Sequence, residues 1–500
     1  MRAIAALALA GGALAAGCGS QGGGAGTGGP TLDESLRRID HIVVIYGENR
    51  SFDNLYGNFP GASGLAQADA AHVTQADRDG AALPVLPTVW GGINGDVPQR
   101  ATGALPNQPF RIDGPGGFNQ PLTAPTRDLV HRFYQNQMQI HGGRLDGYAA
   151  WSDGGGFVMG HYDGSSLPLY QLARRFTLAD HFFMAAFGGS FLNHQWLVCA
   201  CTPVYPNAGS SVAASRLSAV EPDGATLTLA PGSPASALDG PPAFANDNQL
   251  SPDGFAVNTM FPPYQPSLVA PARGGDPRFA DPADSLTLPP QTATTIGDTL
   301  TARGVSWAWY AGAWNQALAD RSVIGSGGVP NFQSHHQPFN YFARFAPGSP
   351  DRAEHLKDYE DLAAGIQAGA LPQVVFYKPQ GNLNQHPGYT DVVSGDEHIA
   401  GLIARIQASP LWSSTLVIVT YDENGGFWDH VPPPRGDRWG PGTRIPALIV
   451  SPFARKGFVD STSYDTTSIL KLITRRFDLE PLPGVRSNVG DFTNALEDAR

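Results

Sequence analysis

Two short apolar runs constrain this chain more than any other feature. HIVVI (41–45) and TLVIV (415–419) are almost wholly β-branched and aliphatic. Runs of that length and make-up predict strands buried on both sides, the kind found in parallel sheets covered by helices. Both end alike. YGEN places Glu48 and Asn49 just past the first; YDEN places Asp422 and Glu423 past the second, with Asp429 and His430 following. Open parallel sheets gather ligands beyond the carboxyl ends of their strands. If both strands share a sheet, three carboxylates and an amide carbonyl converge. Such a set suits one divalent cation: Ca²⁺, Mg²⁺ or Mn²⁺, with added imidazoles admitting Zn or Fe. Either stretch alone also reads as a solvated turn.

The same rhythm recurs along the chain. TIGDTLTARG reads as helix, VSWAWY as strand, VVFYKP as strand, DEHIAGLIARIQAS as helix, IPALIVSP as strand and DTTSILKLITRRF as a helix capped by Asp465. Ser51 reads as another cap. FTLADHFFM reads as a strand. TRDLVHRFYQNQMQI (126–140) spaces Leu129, Phe133 and Ile140 along one side of a helix that also carries His131. The expected fold is α/β, a central mostly parallel sheet with helices on both faces and loop-rich insertions. One insertion spans 61–125. Another, 202–290, is rich in Pro, Ala, Ser and Asp and reads as a lid or accessory subdomain of a single domain, 31–500.

Of 500 residues, 42% are hydrophobic, and 60 glycines and 43 prolines point to long ordered loops. A net charge of −12 without a basic stripe argues against a nucleic-acid partner. Arg2 and AIAALALAGGALAAG form a signal peptide, 1–18, too short to span a bilayer. A flexible Gly/Ser linker, 19–30, follows. The AAGC end resembles a bacterial lipoprotein signal, although Ala15 stands where leucine is usual. Export is expected: periplasmic, secreted, or held at the envelope through a lipid on Cys18. Cys199 and Cys201, one residue apart, would close a strained ring and are expected as buried thiols.

FGGSFLNHQW puts Ser190 behind two glycines at a helix start, where free N–H groups and the dipole favour an ionised hydroxyl. A metal bound to Ser190 would make it a phosphoryl acceptor. Capping alone would also explain a serine there. His194 lies one turn on. His386 follows a predicted strand, and His335 and His336 are adjacent. Imidazoliums can hold phosphate oxygens or protonate a leaving alkoxide. His398 sits at a predicted helix start.

IVVIYGENRSFDNLYG, GGSFLNHQW, YDENGGFWDHVPPP, GTRIPALIVSPFARKGFVD and YDTTSILKLITRRF resemble the bacterial phosphoesterase family of non-haemolytic phospholipases C and acid phosphatases, from about residue 39 to 482. That family is similar to the alkaline phosphatase superfamily in fold. The resemblance implies Glu48, Asn49, Ser190, Asp422 and Glu423 as ligands of one metal and Ser190 as nucleophile. It implies His335, His336, His386 and His131 as phosphate contacts. The phospholipase branch more often carries threonine at the nucleophile position, so serine fits the acid phosphatase branch. The expected activity is hydrolysis of small phosphate esters through a phosphoserine. The alternatives are a phospholipase C acting on phospholipid headgroups and a non-catalytic metal- or phosphate-binding lipoprotein.

Overall fold

The computed structural model describes residues 32–103 and 105–497. The signal peptide, Cys18 and the linker lie outside them. Eight strands form the central sheet: β1 (His41–Gly47), β2 (Thr177–Ala179), β3 (Trp307–Ala311), β4 (Leu356–Asp358), β5 (Val374–Lys378), β6 (Thr415–Tyr421), β7 (Ala447–Val450) and β8 (Phe458–Asp460). Their order is β8-β2-β7-β6-β1-β5-β3-β4. Every neighbouring pair is parallel except those made by β7, which runs against β6 and β2. The expected mostly parallel sheet is therefore present.

β1 and β6 stand side by side at its middle, in register from His41↔Thr415 to Gly47↔Tyr421. All of β6, and β1 beyond His41, is buried, so both sheet faces are covered. Helices Pro168–Arg175 and Val392–Ala408 pack on each other, as do Ser190–Cys199 and Thr466–Phe477. Ser51 caps Phe52–Tyr56 and Asp465 caps Thr466–Phe477, as the sequence predicts.

Four local expectations fail. The 126–140 helix begins only at Phe133, and His131 precedes it in non-helical chain. The close packing of this stretch against Gly188 and Gly189 overrides its helical spacing. FTLADHFFM breaks into Thr177–Ala179 and Phe182–Phe183, the second piece pairing outside the main sheet. His398 lies well inside a helix that starts at Val392, and its Nε2 meets the Tyr377 hydroxyl. Cys199 and Cys201 form a disulfide rather than thiols: Ala200, at φ 48°, turns the chain so that their Cα atoms lie 5.1 Å apart.

No helix among the described residues is long and apolar enough to cross a membrane. The 202–290 stretch carries only short 3₁₀ turns and isolated bridges. It grips the main body through Asp247 on Arg132 (3.0 Å) and Asn258 Oδ1 on the Phe133 amide (3.0 Å).

Candidate active site

Strand register assembles the centre. Gly47 opposite Tyr421 makes Glu48 and Asp422 the next residues of adjacent strands, and the Asp422 amide donates to the Gly47 carbonyl (3.1 Å). On the other side, Ile45 opposite Tyr377 brings Lys378 level with the end of β1. Lys378 Nζ lies 3.2 Å from Glu48 Oε1 and 3.1 Å from Asp422 Oδ2. The two acidic loops then interlock. Asn49 takes φ 71°, which asparagine tolerates, and a Cβ on Gly425 would meet the Asn49 carbonyl at 2.5 Å. That close approach is why DENGG needs glycine.

Ser190 arrives on the helix Ser190–Cys199. Gly189 holds the cap position, and the Ser190 side chain makes no cap bond. Capping therefore does not explain the serine. Gly188, at φ 89°, lets the loop press on the 131–133 backbone; a Cβ there would meet the Phe133 nitrogen at 2.4 Å. Asn193 secures the loop by accepting from the Ala186 amide (2.9 Å). Ser190 Oγ sits 3.3 Å from Asn49 Oδ1 and 3.3 Å from Glu423 Oε1.

These oxygens fit a cation. Carboxylates, an amide carbonyl and a hydroxyl are the hard oxygen donors that Mg²⁺ and Ca²⁺ take. Glu48, Asn49, Asp422 and Glu423 are all fully buried. Burial pushes Asp422 up to about 7 against the pull of Lys378, and Glu423 up to about 8 against that of His131. Burial opposes ionisation of Glu48 too, yet Lys378 and His336 hold it well below the usual carboxylate range. Three carboxylates thus share few positive partners. The five sequence-predicted ligands are together, and they could hold a divalent ion.

The histidines take different places. A cavity of about 430 Å³ opens over Ser190, with His131, His335 and His386 in its wall. Burial pushes His131 down, but Glu423 and Asp128 outweigh it and raise it to about 9. His131 Nε2 lies 3.5 Å from Glu423 Oε1. His386 stacks on Tyr389, ring centres 4.2 Å apart, and burial lowers its pKa. His336 is fully buried, bonded through Nε2 to Glu48 Oε1 (2.8 Å), and burial pushes it down to about 3. His194 is likewise buried, bonding the Ser190 carbonyl (2.7 Å). Val257, Asn258 and Thr259 of the 202–290 insertion also line the cavity.

Sequence reasoning missed Lys378 and Asn384. A lysine inside the apolar string VVFYK was the available signal for the first. Asn384 contacts Glu48 Oε2 and takes the His386 amide on its Oδ1 (3.0 Å). Asp429 and His430, which follow YDEN in the chain, join Asp53 and Arg444 in a separate buried cluster. Arg444 Nε reaches Asp429 (2.8 Å) and Nη2 reaches Asp53 (3.1 Å); His430 Nδ1 lies 2.6 Å from Asp53.

Gln385, between Asn384 and His386, takes φ 77° and is steadied by Asp396, 3.2 Å from its Nε2. Burial pushes Asp396 up to about 7. A folded-state pKa above the unfolded value of about 3.9 favours the fold below pH 4 and loses that advantage as pH rises to 7. Asp396→Asn is expected to remove about 2–4 kcal/mol of this fall. Urea unfolding at pH 4.5 and 8 checks it: the gap between variant and parent should shift in the variant's favour at the higher pH. A constant gap would show that Asp396 ionises normally.

The Phosphoesterase family model matches residues 39–480. The chain belongs to the Phosphoesterase family. As a family member it hydrolyses phosphoester bonds. Phospholipase C B of Mycobacterium tuberculosis is 26% identical across 92% of this chain and 78% of its own length. The non-hemolytic phospholipase C of Pseudomonas aeruginosa is 22% identical across 92% of this chain and 58% of its own. Among solved structures, a protein of the alkaline phosphatase superfamily from Vibrio parahaemolyticus is 10% identical over 76% of this chain and 74% of its own, with a TM-score of 0.33.

Proposed function

We propose that this phosphoesterase is an exported, acid phosphatase-like enzyme that hydrolyses phosphate esters through a phosphoserine on Ser190. The observation that carries this reading is the Ser190 hydroxyl: uncapped, facing Asn49 and Glu423, at the floor of a cavity walled by three histidines. A divalent ion held by Glu48, Asn49, Ser190, Asp422 and Glu423 would supply the charge that stabilises an alkoxide and a phosphoryl oxygen. Ser190 Oγ gives its proton to Glu423 Oε1, which it faces, and bonds to phosphorus as the P–O bond to the leaving group breaks, while the helix N-terminus favours the incoming negative charge. His131, His335 and His386 face the space where the phosphoryl oxygens and leaving group lie. One of them returns a proton to the leaving alkoxide. Water then releases phosphate from Ser190. Glu48 is kept ionised by the charge of Lys378 and by a hydrogen bond from His336.

A second reading, cleavage of phospholipid diesters, is favoured by the phospholipases C that match 92% of the chain. Serine at position 190 and the polar Asn258 and Thr259 on the cavity wall support the monoester reading instead.

Turnover of p-nitrophenyl phosphate against p-nitrophenyl phosphorylcholine separates the two. The monoester is expected to be preferred. Chelator should reduce its turnover at least about 100-fold, with recovery on adding a divalent ion. A preferred choline diester would move the assignment to phospholipase C. Turnover of neither substrate with any divalent ion would leave a binding protein.

A further inference from the structure

We propose that Lys378 is the built-in second cation of this centre: its ammonium fills the space between Glu48 and Asp422, so that the site takes one exchangeable divalent ion instead of two. The inference rests on the reading that Glu48, Asn49, Ser190, Asp422 and Glu423 hold a metal.

Nζ has three hydrogens and three acceptors in reach: the Gly47 carbonyl (3.2 Å), Glu48 Oε1 (3.2 Å) and Asp422 Oδ2 (3.1 Å). Lys378 is wholly buried, so no solvent offsets those carboxylates. Its ammonium joins carboxylates that follow two adjacent strands. Ligand-grade nitrogens flank the same pair. His336 uses Nε2 on Glu48, and its buried Nδ1 has no partner. His194 uses Nδ1 on the Ser190 carbonyl, 3.7 Å from Asp422 Oδ2, and its buried Nε2 has none. Two carboxylates with imidazoles beside them form a set that divalent transition metals favour. A buried pair of this kind demands positive charge from some source. Here the chain supplies it covalently, from the last residue of β5.

Lys378→Met removes the charge and keeps a long, unbranched side chain. Wild type and variant, stripped with chelator and equilibrated with excess Mn²⁺, are cleared of free ion and compared by elemental analysis. The wild type is expected to retain one equivalent and Lys378→Met two. Lys378→Gln, equally neutral, is expected to match it and replaces it should the methionine variant not fold. One equivalent in a folded neutral variant overturns the inference while leaving the metal reading intact. Two equivalents in the wild type overturn it without any variant. No retained ion in the wild type overturns the metal reading and this inference with it.

Discussion

Ser190→Ala is expected to lower turnover of p-nitrophenyl phosphate by about 10⁴-fold or more, the scale seen when a covalent nucleophile is deleted. Thermal stability should barely change. The hydroxyl caps no helix end, and its side-chain partners Asn49 and Glu423 keep other contacts. Ser190→Thr should recover part of the activity because it restores an oxygen at the same place. A Ser190→Ala enzyme within tenfold of the parent would remove the phosphoserine from the mechanism. Transfer would then have to proceed by direct attack of water.

Arg444→Met is expected to cost about 3–5 kcal/mol of stability, the range for stripping one partner from a buried ion pair. Arg444 is wholly buried and spends its donors on Asp53, Asp429 and the carbonyls of Ser63 (2.7 Å) and Asp180 (2.9 Å). Without it, two buried carboxylates face each other with the His430 ring and backbone amides for relief. Asp53 lies in the helix that follows the Asn49 loop and Asp429 in the loop that carries Glu423, so their separation should loosen the candidate site. Urea midpoints measure the effect. A loss below about 1 kcal/mol would show that other contacts join the loops.

The convergence of the candidate ligands was legible because their positions are set by strand ends, and strands buried on both faces leave a plain apolar signature. Glu48 and Asp422 become neighbours as soon as HIVVI and TLVIV are paired. Lys378 was not legible in the same way: its place depends on which strand flanks β1, and strand order is not written in local composition. The cluster of Asp53, Asp429, His430 and Arg444 was hidden for a similar reason, since Arg444 lies at a third, separate point in the chain. The 126–140 stretch failed differently. Its apolar spacing is helical, but the first half is held away from helix by packing against the Gly188–Gly189 loop. The cysteines failed because a single left-handed residue, Ala200, settled their geometry.

The position of β1 sets a timetable for synthesis. Among the described residues it is the first strand made, yet it is central, and its neighbours are β5 and β6. Lys378 follows Gly47 by 331 residues. At translation rates of about 5–20 residues per second, HIVVIYG waits roughly 15–65 s for its first partner. During that wait it is an unpaired, β-prone segment of the kind that aggregates. Nascent chains ending before residue 421 also lack Asp422 and Glu423, so no shorter N-terminal fragment carries the full ligand set. A holding chaperone that covers residues 41–47 is therefore expected to raise the yield of active protein more than one acting after the chain is complete.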